Sequence, residues 1–461
     1  MSEIKDNGET LSEYLAEYCV ALSYNDLPGK VIDHAKLLFL DLIGAVLSGS
    51  DTPEAGNCIE AMGLFGNFNG CSSLWGTKYQ ACPSHAALYN AIAAHAREID
   101  DFGGVDHSGA VVIPAVVAIG ESKYPFGGKR LIEAMVAGYE IGRRILEASG
   151  GYRAHNNHSG WHSTGTCGSF AAAAAVAKAL ALNVKQTVWA IGLAGSFTGG
   201  TWAFSKDGAM SKRYHPGRAA ETGVIAASLA MCGFTGPRFV FESDWGGFFN
   251  TYAKGSARPH MLTDNLGSEY KILNSGVKPY ASCRDTHSAI EAVLEARCKN
   301  SLSYEDIEEI EIRCTLETKQ MVGHRKFPAT VLEAQLSLSY SIAVALVKGC
   351  ASFLEYTEPC FKDKRIRELF DRVHYVIDPK LPLDSEPVVR ISTHDGRVIE
   401  KHVEFALGAP QNPLTRHQVE KKFETSVASV LSVEDIQELK QMINSLEDID
   451  DVRILTRLLC K

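Results

Sequence analysis

What this chain lacks narrows it before any motif is read. Its twelve cysteines, Cys19, Cys58, Cys71, Cys82, Cys167, Cys232, Cys283, Cys298, Cys314, Cys350, Cys360 and Cys460, are scattered and none is spaced C-x-x-C. That argues against a disulfide scaffold and predicts reduced, mostly buried thiols in a cytoplasmic protein. No apolar run reaches the ~20 residues that a membrane helix needs. The start, Met1 to Thr10, carries Glu3, Asp6 and Glu9 without an apolar stretch, so neither a secretory signal nor a transit peptide is expected. Positive charge is also scarce. Forty-six Lys and Arg against 55 Asp and Glu leave a formal net charge of −9, which disfavours nucleic acid or an anionic membrane as partner. An anionic substrate must therefore be met by a local cationic pocket.

Nucleotide-binding signatures are missing as well. Gly103-Gly104, Gly199-Gly200 and Gly246-Gly247 lack both the strand–G-x-G-x-x-G–helix setting and a Walker lysine. No G-x-S-x-G surrounds Ser163, so the serine beside His162 is not a nucleophile elbow. Cys167 and Cys283 are read as small core residues rather than nucleophiles.

What is present, over 461 residues, is enough apolar sequence for a large core and more than one domain. The periodicity predicts helices nearly throughout residues 1–266. Asp26 ahead of Leu27-Pro28 reads as an N-cap for a helix closed by Gly49, and further helices fit Ser84–Ile99, Gly128–Ala148, Thr166–Leu182, Val184–Leu193 and Arg218–Met231. Alternation then marks strands at Ile307–Cys314 and Pro387–Thr393, the latter turning at Asp395-Gly396 and returning as Arg397–Phe405. Helices at His287–Cys298, Val331–Val347 and Arg365–Arg372 lie among them. The expected fold is mainly α: a helical domain from residues 1–266 completed by 409–461, with a smaller α/β domain, 267–408, inserted between.

Four stretches place histidine beside charge at a helix entrance or exit. His95-Ala96-Arg97-Glu98-Ile99-Asp100-Asp101-Phe102, followed by Asp106-His107-Ser108-Gly109, can pair a carboxylate with an imidazole for proton transfer or can bind a divalent ion; a solvated acidic loop would read the same way. Trp161–Phe170, running into Ala171–Ala175, puts His162 at the mouth of an alanine-rich helix whose first N–H groups are free to meet an anion. Lys212-Arg213-Tyr214-His215-Pro216-Gly217-Arg218 fits a carboxylate clamp, or else a basic surface turn. The fourth, Lys278 to His287, joins Arg284 and Cys283 to a histidine, although Thr286 can be simply a cap.

On these four blocks, which fall in family order, the chain resembles the MmgE/PrpD family of 2-methylcitrate dehydratases, cis-aconitate decarboxylases and an iminodisuccinate epimerase. The resemblance runs from about Leu11 to the Leu446-Glu447-Asp448 tail. It implies a homodimer with a site beneath an α/β lid, needing neither cofactor nor metal. Carried over residue by residue, it implies catalytic roles for Asp101, His107, His162, Lys212 and His287, and substrate contacts from Glu98, Arg213, His215, Cys283 and Arg284. The chain departs from the family's Asp-Phe-Asp-Asp-Thr by having Glu98-Ile99-Asp100-Asp101-Phe102. The activity expected is that of a lyase, foremost a dehydratase of a small di- or tricarboxylic acid. A decarboxylase or an epimerase of a related acid is the alternative, and a non-catalytic carboxylate-binding protein the last.

Overall fold

A computed structural model describes residues 8–64, 66 and 68–460; most of the acidic start, residues 1–7, lies outside the described residues. The first helices are α1 (Leu11–Ala21), α2 (Gly29–Gly49) and α3 (Pro53–Leu64), and a two-residue ladder of β1 (Ser72–Ser73) and β2 (Gln80–Ala81) precedes α4 (Pro83–Ala96). Asp26 does not cap α2. It sits in a 3-10 turn, and Pro28, extended and without an N–H to lose, is the residue from which the helix starts. Next come α5 (Ser108–Gly120) and α6 (Gly128–Ala148), the second with the bounds read from sequence. The chain continues through α7 (Ser163–Thr166), α8 (Gly168–Ala179), α9 (Val184–Ala194), α10 (Ser211–Met231) and α11 (Phe248–Tyr252).

Small residues set how closely these helices pack. A Cβ on Gly223 of α10 would lie 2.3 Å from that of Ala172, and one on Gly142 of α6 would lie 2.7 Å from that of Ala171. Both neighbours belong to α8, every residue of which is buried, so the alanine run lets two helices press on it from either side.

After α12 (His287–Asn300) comes a four-stranded sheet of β3 (Ile307–Cys314), β4 (Val373–Ile377), β5 (Val388–Thr393) and β6 (Val398–His402), in the order β4-β3-β5-β6. The β5–β6 hairpin turns at Asp395-Gly396, with Gly396 at φ 85° as its turn requires. Sequence reasoning missed β4, which runs parallel to β3 with Ile310 opposite Val373. The helix expected at Val331–Val347 is two, Val331–Gln335 and Leu338–Lys348, because Ser337 restarts the chain as an N-cap whose side-chain oxygen accepts the Tyr340 N–H.

Two apolar clusters divide the interior. One gathers residues from Leu11 to Val277 together with Val419–Leu459, and the other holds Ala281 to Ile391 with Ala45, Ile99 and Phe204. The fold is thus mainly α with small sheets, and the C-terminal helices, Arg416–Val427 and Val433–Asn444 among them, pack with the first cluster. Ile99 and Phe204, which come from the helical part, contribute to the second core. No helix of the described residues is long and apolar enough to cross a membrane.

Candidate active site

Helix α4 stops at Ala96, three residues earlier than its pattern suggested, because Glu98 takes the left-handed conformation at φ 58°. The loop to α5 contains a second such residue, Asp106 at φ 93°. Backbone strain of this kind persists only where surrounding contacts fix it. Here they do so on three sides. Phe102 and Gly276 exchange backbone hydrogen bonds of 3.0 and 2.8 Å. Lys422, from the C-terminal part, donates to the Ile99 carbonyl at 2.6 Å and pairs with Asp41. Asp101 accepts the Gly109 N–H at the start of α5 and the Tyr139 hydroxyl, both at 2.8 Å.

Turned by Glu98, the loop sends neighbouring acids to different places. Asp100 lies 3.0 Å from His95 Nδ1 and 2.9 Å from His107 Nδ1. Burial would raise its pKa, but the charge of the two imidazoles holds it well below the usual carboxylate range. An ionised Asp100 only accepts, so both histidines present an Nδ1–H to it, and in a neutral ring the free nitrogen is then Nε2. His95 Nε2 is buried without a partner, whereas His107 lines a cavity. Asp101, by contrast, is pushed up to about 7 by burial and by Asp100, and it does not reach that cavity. It anchors α5; the acid that orients His107 is its neighbour.

The cavity, 190 Å³, lies between the loop and the segment leading into α12. Binding clefts for drug-sized ligands run to ~300–1,000 Å³, so this one suits a small metabolite. Glu98, Asp106, His107, Lys212, Lys278 and Asp285 supply its chemistry, with Tyr152 and Trp202 among its other walls. Glu98 is held by three cations: Lys212 at 2.7 Å, Lys278 at 3.1 Å and Arg213. Despite burial, Lys212 and Lys278 draw its pKa well below the ordinary value. Burial lowers that of Lys212, and Arg213 and Lys278 add to this against Glu98, while Glu98 and Asp100 overcome burial to raise Lys278.

Several sequence expectations change in this light. Lys212, Arg213 and His215 lie inside α10, which begins at Ser211 rather than Arg218; Pro216 forfeits one helical hydrogen bond, and the buried ion pairs hold the first turns instead. Lys212 reaches the cavity and Arg213 does not, its guanidinium being taken by Glu98 and Gln335. At the entrance of α7 the His162 N–H is spent on the Gly200 carbonyl and that of Ser163 on Asn156 Oδ1, so neither is free to meet an anion. His162 acts through its ring. Its Nδ1 lies 2.8 Å from His215 Nδ1, its Nε2 lies 3.5 Å from Asp106, and burial lowers its pKa to about 4. His287 is buried away from the cavity, with Nε2 at 3.2 Å from the Ser282 carbonyl and its ring edge-on to Tyr280. Cys283 and Arg284 do line the cavity. Burial pushes the Cys283 thiol up to about 12, and Arg284 is bound at 2.7 Å to Glu386.

Three ligand atoms from His95, Glu98 and His107, and three from Asp106, His107 and His162, come close enough to hold a metal. The first set includes a carboxylate already met by three cationic side chains, which leaves little for a further cation to gain. The roles carried over by resemblance left out Asp100, Asp106, Lys278 and Asp285, though all stand in the blocks quoted and the first two were read there as candidates for an acid–base pair or a metal site.

The same blocks fall within what the chain shares with known proteins. It matches the MmgE/PrpD N-terminal domain over residues 13–260 and the MmgE/PrpD C-terminal domain over residues 280–448. The chain belongs to the MmgE/PrpD family. It is 29% identical over 470 residues to a cis-aconitate decarboxylase-like protein of Aspergillus oryzae, an alignment that covers 96% of each chain. It is 28% identical over 468 residues to the cis-aconitate decarboxylase of Aspergillus terreus, covering 95% of this chain and 93% of that one. For the human cis-aconitate decarboxylase the figures are 27% over 468 residues, 98% and 95%. This MmgE/PrpD chain is an enzyme, of the lyase class.

Proposed function

We propose that this lyase removes water from a small hydroxy di- or tricarboxylic acid by proton transfer. One observation carries the reading: His107, held at Nδ1 by the ionised Asp100, lines a cavity that also holds two buried lysines, so that in its neutral form Nε2 is the base. Nε2 takes the proton from the carbon beside a substrate carboxylate. Lys212 and Lys278 stabilise the charge that builds on that carboxylate. The C–H electrons form the double bond, the C–O bond breaks, and Lys212, made more acidic by burial and its cationic neighbours, gives the departing hydroxide its proton. His107 then holds one proton and Lys212 lacks one, and a transfer between them restores the site. His162 and His215 support the cavity through Asp106.

Decarboxylation is the second reading, favoured by the names of the full-length relatives. There the carbanion left by CO₂ takes its proton from the same groups. Epimerisation would use His107 alone for removal and return. In all three readings residues 267–408 serve as a lid on the helical body, and the enzyme works as a cytoplasmic homodimer without a cofactor. Proton NMR in D₂O with a panel of di- and tricarboxylic acids separates the chemistries. Elimination from a hydroxy acid gives vinyl signals, decarboxylation loses a carbon, and epimerisation only exchanges deuterium. Loss of carbon from an unsaturated acid with no elimination from any hydroxy acid would replace dehydration by decarboxylation.

A further inference from the structure

The cavity carries an acid that the proton-transfer scheme leaves unused. Asp285 opens onto it half-buried, at the turn before α12, and its carboxylate has no hydrogen bond or ion pair from the described residues. Its neighbour Arg284, the nearest candidate, is committed to Glu386 at 2.7 Å and stacks on the Phe102 ring. Two further acids bear on Asp285, Glu386 and, on the cavity wall, Asp106, against the cations Arg284 and Lys278. The cavity therefore has two unlike sides. Lys212 and Lys278 suit substrate carboxylates, whereas Asp106 and Asp285 flank Tyr152 as acids, the arginines that also line the cavity, Arg143 and Arg284, being paired with Glu147 and Glu386.

A carboxylate without a protein partner on a cavity wall gains from any substrate group that donates to it. A substrate made only of carboxylates and carbon would bring a further anion against that wall. The geometry points to Asp285 as the residue that selects a substrate bearing a hydrogen-bond donor, a hydroxyl or an ammonium group, whose O–H or N–H turns to Asp285 while its carboxylates lie on the lysines; a hydroxyl held so keeps its oxygen lone pairs for Lys212. This rests on the proposed action on a small polycarboxylic acid and adds which residue reads the substituent. The shared chemistry of the two donors is an O–H or N–H pointed at an anionic acceptor. A site built for such a donor discriminates strongly against an analogue lacking it, because the acceptor is then stranded.

Matched pairs differing by one donor test the assignment by isothermal titration calorimetry: citrate with tricarballylate, malate with succinate, and aspartate with succinate. Wild type should bind the donor-bearing member at least ~10-fold more tightly in one or more pairs, as charge-assisted hydrogen bonds allow. The hydroxy pairs and the amino pair tell which donor is meant. In Asp285→Ala that preference should fall to within ~2-fold, while the donor-free member binds as well as before or better. Asp285→Asn keeps the shape and adds a donor of its own, so it should bind the donor-free member more tightly than wild type does; it carries the comparison if the alanine variant does not fold. Equal binding of both members of every pair by wild type, or an unchanged preference in Asp285→Asn, would overturn the role of Asp285 and leave the acid-processing reading standing. Failure of every acid to bind would instead overturn that reading, and this inference with it.

Discussion

Asp100 bridges two imidazoles, lying 3.0 Å from His95 Nδ1 and 2.9 Å from His107 Nδ1, and so fixes which nitrogen His107 shows to the cavity. An amide at this position can donate from its nitrogen and so no longer dictates the tautomer. Asp100→Asn should therefore lower kcat by roughly 10²–10⁴-fold, the range seen when the acid behind a catalytic histidine is neutralised. Nitrogen-15 NMR of the histidines gives an independent check, since the His107 Nδ1–H signal should be lost or shared with Nε2. Wild-type turnover with an altered tautomer would remove His107 from the reaction.

Lys212 has a structural debt as well as a chemical role, because Glu98 is buried against it. Lys212→Met should lower kcat/KM by roughly 10²-fold, through a lost charge-assisted contact in a low-dielectric site. Arg213 and Lys278 still hold Glu98 in that variant, so the loss of stability should stay near ~1–3 kcal/mol. Removing the acid is worse. Glu98→Gln leaves three buried cations without their shared counter-ion and should cost ~3–5 kcal/mol, as breaking buried ion pairs from one side does. Denaturant titration of the two variants side by side tests that order.

His287 is a control for the placement of the site. Enclosed against Ser282, Phe102 and Tyr280, it should matter for packing alone. His287→Gln is expected to keep kcat within ~3-fold while destabilising the fold by ~1–3 kcal/mol, the cost of disturbing a buried hydrogen bond. A large fall in kcat from a variant of normal stability would return His287 to the catalytic set.

One share of the acid sensitivity can be assigned to a single residue. His155 is buried against Thr166 Oγ1 at 2.7 Å, and burial lowers its pKa to about 4. Unfolded, it takes up a proton near pH ~6.5, which the folded protein refuses until about pH 4. The unfolded state binds more protons between those values, so stability falls as pH falls through that window. His155→Gln should remove one proton's worth of that slope, about 1.4 kcal/mol per pH unit at most. Urea unfolding of both proteins at pH 6.5, 5.5 and 4.5 gives the difference directly.

Metal dependence follows from the charge around Glu98. Exhaustive dialysis against EDTA should leave activity intact. Activity that is lost and then restored by one divalent ion would point to Asp106, His107 and His162 as its ligands, the set not already neutralised by lysine or arginine.

Much of this was readable from residue order, and the failures have physical causes. Helix α6 and strand β3 have the bounds their periodicity indicated, since each presents one clear apolar face. Strand β4 was missed because Val-His-Tyr-Val-Ile is short and its partner lies some sixty residues upstream, across a parallel pairing that leaves no local trace. Helix α5 is buried all round, so it has no periodic stripe, and Pro114 lies within it. Three of the four histidine blocks line the cavity, and the fourth meets it only through the contact of His162 with Asp106. Whether Asp100 or Asp101 served His107 could not be read, because a single left-handed residue, Glu98, decides which way each points.

The hold of Lys422 on Ile99 has a consequence for how the enzyme is made. Every residue that lines the cavity has left the ribosome once Asp285 has, yet the tether that steadies the loop between α4 and α5 is translated well over a hundred codons later. A nascent chain thus carries the complete set of reacting groups while the loop that aims them is still unclasped. Activity is the last property such a chain acquires in synthesis, and a message truncated ahead of residue 422 yields a protein with every cavity-lining residue and an unfastened loop.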